Sequence, residues 1–271
     1  MNDTAKNASR GSVLYLSHGG GPLPLLGDGA HREMIAALKE IAPLLGSPSA
    51  IVVVSAHWEE GRPTVTGGAS PGLIYDYYGF PEESYRIAYP APGEPALANK
   101  IAGLLQSHGF DAKLDEQCGF DHGLFVPLKI LYPEAAIPCV QLSLVNSLRP
   151  DEHIRIGRAL AGLTNDNILV IGSGFSFHNL RAFFAPSTPE ARSMNEAFEQ
   201  WLVLTCSSRE ISEAERERRL VNWENAPAAR YCHPREEHLL PLHVCYGVAG
   251  LPAGQVFRFE IMGKKASAYL W

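Results

Sequence analysis

The sequence predicts an α/β fold: a single domain over residues 12–271, with helices flanking a central, largely parallel or mixed sheet. Three observations predict it. Ile51-Val52-Val53-Val54 sets four β-branched residues in a row, the pattern of a strand buried on both faces. Comparable apolar runs alternate with segments of helical period, as strand–helix–strand units do. Three of these runs end at or near a histidine: Val13–Ser17 at His18, residues 51–56 at His57, and Ile168–Gly174 just before His178. Open α/β sheets gather their chemistry beyond the carboxyl ends of such strands. One histidine there is ordinarily structural; three point to a metal site.

Composition narrows the partners. Hydrophobic residues make up 46% and charged residues 19% of the chain, ordinary for a globular enzyme and wrong for disorder. A net charge of -6 without a Lys/Arg-rich block argues against nucleic acid. No apolar stretch approaches the roughly 18 residues of a membrane span. The five cysteines are odd in number and include no CxxC pair, which argues against a disulfide framework and fits a reducing, cytoplasmic setting. Residues 1–11 are polar, lack a signal-peptide core and read as a disordered tail.

The rest of the chain fills in the alternation. Gly19-Gly20-Gly21 lets backbone approach a ligand closely; the Lys-Ser/Thr that would close a phosphate loop is missing. Residues 31–45 and 94–108 have helical period, while 63–67 and 112–114 suit short strands. Residues 138–144 read as a buried strand, followed by a helix capped by Asp151 and reaching Leu163. Pro189–Ser207 and residues 212–223 read as a helical insertion over the sheet, 239–244 as an apolar helix, and 254–261 and 266–270 as closing strands. Residues 71–93 are a long irregular stretch dense in Tyr and Phe. They read equally as a wall for a flat ligand and as packed core. With no repeat and no clear linker, one domain is expected.

The ten histidines divide by context. His31, His108 and His153 sit in helical patterns without special neighbours and read as structural. His18, His57, His122 and His178 remain, with one or more of His233, His238 and His243. The last three are five residues apart, about 140° around a helix, so one straight helix cannot aim two of them at one ion. His238, behind a polar loop at a helix start, is the best metal candidate.

Several motifs, in order, carry a resemblance. They are Ser17-His18-Gly19-Gly20-Gly21-Pro22, Ser55-Ala56-His57-Trp58-Glu59, Tyr78-Gly79-Phe80-Pro81, Tyr89-Pro90-Ala91-Pro92-Gly93, Asp121-His122-Gly123, Gly172-Ser173-Gly174 with His178-Asn179-Leu180, and Glu237-His238-Leu239-Leu240-Pro241-Leu242. Together they resemble the class III extradiol ring-cleaving dioxygenases, in the branch related to the DOPA dioxygenases of plants and bacteria. The resemblance implies a single α/β domain that opens a catecholic ring with dioxygen. It implies a non-haem Fe(2+) held by His18, His57 and His238, with His122 and His178 as the acid/base pair. His178 is expected to be the principal catalytic residue. Tyr78, Phe80 and Asp121 are expected at the substrate, although Asp121 serves equally well as a turn cap. His238 stands where some relatives place Glu. Three neutral imidazoles leave an ion two units positive, which favours a dianionic catecholate and also suits Zn(2+).

The expected partners are a small aromatic diol and O2. Two other readings compete: a zinc hydrolase, for which Glu59 is the candidate catalytic carboxylate, and a non-catalytic binding or signalling member of the same fold. Arg181 and Arg235 lie near motif residues and could hold a substrate carboxylate, although solvated surface positions are the commoner role for either.

Overall fold

The apolar runs become the middle of one sheet. In the computed structural model, which describes residues 11–271, the strands are β1 (Val13–Ser17), β2 (Ala50–Glu60), β3 (Thr64–Thr66), β4 (Lys113–Asp115), β5 (Cys139–Val145), β6 (Ile168–Gly174), β7 (Gln255–Ile261) and β8 (Lys264–Leu270). Their order is β4-β3-β5-β2-β6-β1-β8-β7. The central run from β5 to β1 is parallel. β8 joins β1 antiparallel and β7 joins β8 antiparallel, while β3 runs against β5. The sheet is mixed, with a parallel centre. The expected tail lies outside the described residues except for Gly11, whose N–H donates to the Thr164 carbonyl at 2.6 Å.

Helices fill both faces: α1 (Arg32–Leu45), α2 (Pro95–Ser107), α3 (His122–Leu131), α4 (Pro150–Leu160), α5 (Leu180–Phe184), α6 (Pro189–Ser207), α7 (Glu213–Val221), α8 (Ala229–Cys232) and α9 (Leu240–Ala249). Alternate strand residues feed two separate cores, as the pleat requires. Val52, Val54, Tyr15 and Val170 pack with α2, α4, α6 and α9. Ile51, Val53, Leu14 and Ile171 pack with α1 and α3. This is why β2 is apolar at every position from Ala50 to Val54 and not only at alternate ones. Helix α9 lies against α4 at a close crossing; a Cβ on Gly157 would meet the Val244 carbonyl oxygen at 2.1 Å.

Three local expectations change. Pro150 occupies the first helical turn, so α4 starts from Arg149, and Asp151 pairs with the Arg149 guanidinium (3.2 and 2.6 Å) instead of capping. That helix ends at Leu160 and continues to Asp166 as a 3-10 turn. Strand β2 does not stop at His57: it runs to Glu60, with a register shift against β5 between Ser55 and Glu59. A bulge of this kind re-aims the side chains within it, and His57 lies there. Among the described residues no helix is long and apolar enough to cross a membrane, and all five cysteines are free thiols.

One buried carboxyl makes the fold sensitive to pH. Glu199 of α6 is buried against β8, where Ser267 Oγ donates to its Oε2 at 2.8 Å. Burial pushes its carboxyl up to about 7 from 4.5. The folded chain therefore holds a proton that the unfolded chain releases between those values, and stability falls as pH rises through that window. Glu199→Gln is expected to be more stable than the parent at pH 8, by on the order of 2–3 kcal/mol at most, with the gain gone by pH 4. Urea unfolding at the two pH values reads this directly.

Candidate metal centre

The carboxyl ends of β1, β2 and β6 meet at one point. His18 follows β1 immediately and its backbone N–H donates to Gly174 of β6 at 3.0 Å. His57 arrives from the bulged end of β2. His238 comes from the turn before α9, seated against β6 so closely that a Cβ on Gly174 would lie 2.1 Å from the His238 carbonyl oxygen. Their ring nitrogens converge: His57 Nε2 is 2.9 Å from His18 Nε2 and 3.3 Å from His238 Nε2.

Hydrogen bonds behind the rings fix the tautomers. Ser173 Oγ donates to the Gly123 carbonyl at 2.5 Å, so it can only accept from His18 Nδ1, 3.0 Å away. His238 Nδ1 donates to Glu237 Oε1 at 2.9 Å. Both rings therefore carry the proton on Nδ1 and turn the Nε2 lone pair inward. Burial first, and then the neighbouring imidazoles, lower the pKa of His18, His57 and His238 well below the ordinary histidine value. The inward lone pairs of His18 and His238 meet His57 Nε2 at these separations, an arrangement that a cation between the three would satisfy. Nitrogens bound at about 2.1 Å to one ion lie roughly 3.0–3.4 Å apart, so the set fits a metal.

Two carboxylates stand directly behind this centre, and neither was singled out from the sequence. Asp76, in the aromatic loop, accepts from His122 Nδ1 at 2.8 Å and from the His122 backbone N–H at 3.0 Å; its other oxygen is 3.8 Å from His57 Nδ1. Glu237 accepts from His238 Nδ1 and also from His178 Nδ1 at 3.0 Å. Burial opposes ionisation of each, but the bonds and charge of His122 for Asp76, and of His178 for Glu237, outweigh it and hold both carboxyls below their ordinary values. His178 stacks on His238 with centroids 3.4 Å apart, and His122 lies 3.8 Å from His57. Each carboxylate thus ties one converging histidine to one flanking histidine. The two negative charges also revise the expectation of an uncompensated ion.

Asp121 is engaged by protein donors. It caps α3 by accepting from Leu124 N–H at 3.3 Å, and it also accepts from Ser55 Oγ (2.8 Å) and Gln141 Nε2 (2.7 Å). Its carboxyl is full of protein donors, so its place is that of the turn cap, clamping His122 at the first position of α3. In the aromatic loop the inward position belongs to Tyr77, whose ring edge meets His122 at 5.7 Å, whereas Tyr78 is 92% exposed. Gly79, with φ +78°, turns the chain just beyond. Phe80 packs on Tyr77 at 5.5 Å, with its ring over the glycine run at Gly21. His233 turns elsewhere, its Nε2 donating to the Ser176 carbonyl at 2.8 Å, and His243 packs against the Leu220 carbonyl. Glu59, the carboxylate a hydrolase would use, is held in a two-pronged ion pair by Arg235 (2.5 and 2.6 Å). A cleft of about 510 Å³ opens beside the centre, lined by His178, Asn179, Leu180, Arg181, Arg235 and Glu237.

A three-histidine centre at the strand ends of an α/β sheet, flanked by two anchored histidines, suits ring-opening chemistry, and comparison agrees. The chain belongs to the family described as the catalytic LigB subunit of aromatic ring-opening dioxygenase, which it matches over residues 12–269. It is thus an enzyme of the class III extradiol type. Among its relatives, the dioxygenase tasH of Hapsidospora irregularis is 41% identical over 88% of this chain and 78% of that one. The 4,5-DOPA dioxygenase extradiol of Beta vulgaris is 36% identical, covering 88% and 87% of the two chains, and that of Escherichia coli K12 is 35% identical, covering 89% and 86%. A crystal structure of an uncharacterized Escherichia coli K12 protein superposes with a TM-score of 0.73 at 31% identity, over 96% of this chain and 99% of that one.

The seat of His238 against β6 is a sensitive point. Gly174→Ala is expected to push the His238 backbone outward and weaken binding of a divalent metal at least tenfold while the chain stays folded. Chelator competition, with circular dichroism as the folding control, measures both.

Proposed function

We propose that the chain is an extradiol dioxygenase that opens DOPA-like catechols, with Fe(2+) held by His18, His57 and His238. The observation that carries the reading is the convergence of three imidazole Nε2 atoms, with the outer nitrogens of His18 and His238 already engaged. Ferrous iron in that place would supply simultaneous ligation of the catechol and dioxygen and the electron transfer between them. Zinc suits three imidazoles equally well, so metal analysis accompanies every assay.

The protein's own part is proton handling and exclusion of water. His122 and His178 each point Nδ1 at a carboxylate. That leaves Nε2 of each ring free to take a proton from a catechol hydroxyl or to return one as the ring opens. Asp76 and Glu237 hold those rings in one tautomer and steady the imidazolium that forms, as carboxylates behind catalytic histidines do. Tyr77 and Phe80 close one side with apolar surface, which keeps the local dielectric low. His178 lines the open cleft, whereas His122 is 5% exposed, so His178 is the residue placed to exchange protons with solvent.

Anaerobically iron-loaded protein is expected to consume dioxygen with DOPA and to form a yellow semialdehyde; an oxygen electrode beside a visible scan tests it. No uptake at full iron occupancy with any of a panel of catechols would overturn the reading in favour of a non-catalytic member. His18→Ala, His57→Ala and His238→Ala are each expected to lose metal by elemental analysis, whereas His178→Ala keeps metal and loses turnover. Glu237→Gln is expected to weaken metal affinity and kcat each by about 10- to 100-fold, since it loses the charge that both His178 and His238 face.

A further inference from the structure

The cleft beside His178 holds one cation without a counter-charge. Of its two arginines, Arg235 is committed: both guanidinium nitrogens bond Glu59, and Nη1 is 3.4 Å from Glu237 Oε2. Glu237 is itself engaged by His178 and His238. Arg181 is exposed on the same cleft and has no hydrogen bond or ion pair to any described residue. It is presented by fixed backbone. Asn179 caps α5 by accepting from Ala182 N–H at 3.1 Å while its Nδ2 donates to the Tyr231 carbonyl at 2.7 Å. Phe183 anchors the same turn between Phe175 (5.6 Å) and Phe177 (5.4 Å). Two residues separate the proton-handling ring of His178 from a planar cation of fixed origin.

We infer that Arg181 is a specificity-determining residue that binds a carboxylate on the ring substituent, so that the substrate class is catechols with an anionic side arm. The inference rests on the ring-opening reading for the identity of the ring, but its own basis is the charge of the cleft. A guanidinium fork matches a carboxylate with two parallel hydrogen bonds. An aromatic diol held at the metal centre sends its substituent out past His178 into the cleft, where the surfaces of Leu180 and Pro234 flank a carbon arm and Arg181 meets its end. The Glu59–Arg235 pair closes the far side without adding net charge and Glu237 is turned to His178 and His238, so Arg181 is the cation of the cleft left to pair with an incoming anion.

DOPA and dopamine differ only in the carboxylate and so isolate the term. Steady-state kinetics of the metal-loaded enzyme are expected to give Arg181→Ala a fall in kcat/KM for DOPA at least tenfold larger than for dopamine, carried mainly by KM. Arg181→Lys, which keeps the charge and loses the fork, should recover part of that loss, and Arg181→Glu should invert the preference toward the amine. An equal fall for both substrates, or none, overturns the assignment, as does a parent enzyme that favours dopamine. Failure of the parent to cleave either substrate would sink the ring-opening reading instead. Calorimetric binding of the two compounds to metal-loaded parent and Arg181→Ala protein would then still decide on Arg181, with the same tenfold difference expected and its absence overturning the inference.

Discussion

The arrangement turns on three imidazole nitrogens held at one point. His57 Nε2 lies 2.9 Å from His18 Nε2 and 3.3 Å from His238 Nε2, and none of the three rings is readily protonated there. Largely desolvated nitrogens this close need a shared proton or a cation between them. The scaffold holds them there with packing. Parallel strands β1, β2 and β6 are locked into register through buried apolar residues on both faces, and their ends have no freedom to spread. Glycines on β6 admit the start of α9 at backbone contact. Ser173, Gly123 and Glu237 then fix the orientation of the His18 and His238 rings from behind. The result is a site organised before its cation arrives, which lowers the reorganisation needed on binding.

The same logic explains why the carboxylates sit one step outside. A carboxylate among the converging donors would compensate an ion directly. Here the negative charges of Asp76 and Glu237 lie on the far side of the rings, and each is shared by two histidines. On the proposed roles, sharing would couple the metal centre to the flanking pair: withdrawal of a proton from a flanking ring would change the charge that the carboxylate presents to the neighbouring histidine. The two pairs are unequal. Glu237 contacts both of its histidines at 3.0 Å or less, whereas Asp76 is 3.8 Å from His57.

Much of this was legible in the sequence because it is written in local pattern. A two-sided buried strand demands an unbroken apolar run, so Ile51 to Val54 announces the centre of the sheet, and a polar residue ending such a run announces the crevice. His18, His57 and His178 are readable on that ground alone. His238 is readable only through its setting and its resemblance, because nothing in helical geometry separates it from His233 or His243. Asp76 and Glu237 are illegible for a different reason. Asp76 belongs to an irregular loop with no period to say which side chains face inward, and the choice of Tyr77 over Tyr78 is made by the turn at Gly79. Glu237 lies beside His238 in sequence, yet its second partner, His178, is 59 residues away along the chain. Contacts of that range are set by β6 and α9 meeting, which no window of sequence contains. Asp121 marks the limit in the opposite sense: its motif neighbours His122, and the contacts it makes are those of a helix cap.

The unequal exposure of the two flanking histidines extends the argument from static geometry to the direction of proton flow. His122 is buried under Tyr77 and bound through both ring and backbone to Asp76, whose carboxylate is itself partly exposed, so exchange with water at its Nδ1 side passes through that carboxylate. His178 borders the cleft and can exchange with water while its Nδ1 remains on Glu237. On the proposed chemistry, a proton held at His178 equilibrates with the medium through the cleft between turnovers. A bound substituent that fills the cleft would close that route, so the proton at His178 would stay inside while the ring is open to attack. The residues that select the substrate arm would then also decide when the site is dry. That coupling needs no moving lid: it follows from placing the proton-exchanging histidine and the substituent in the same opening.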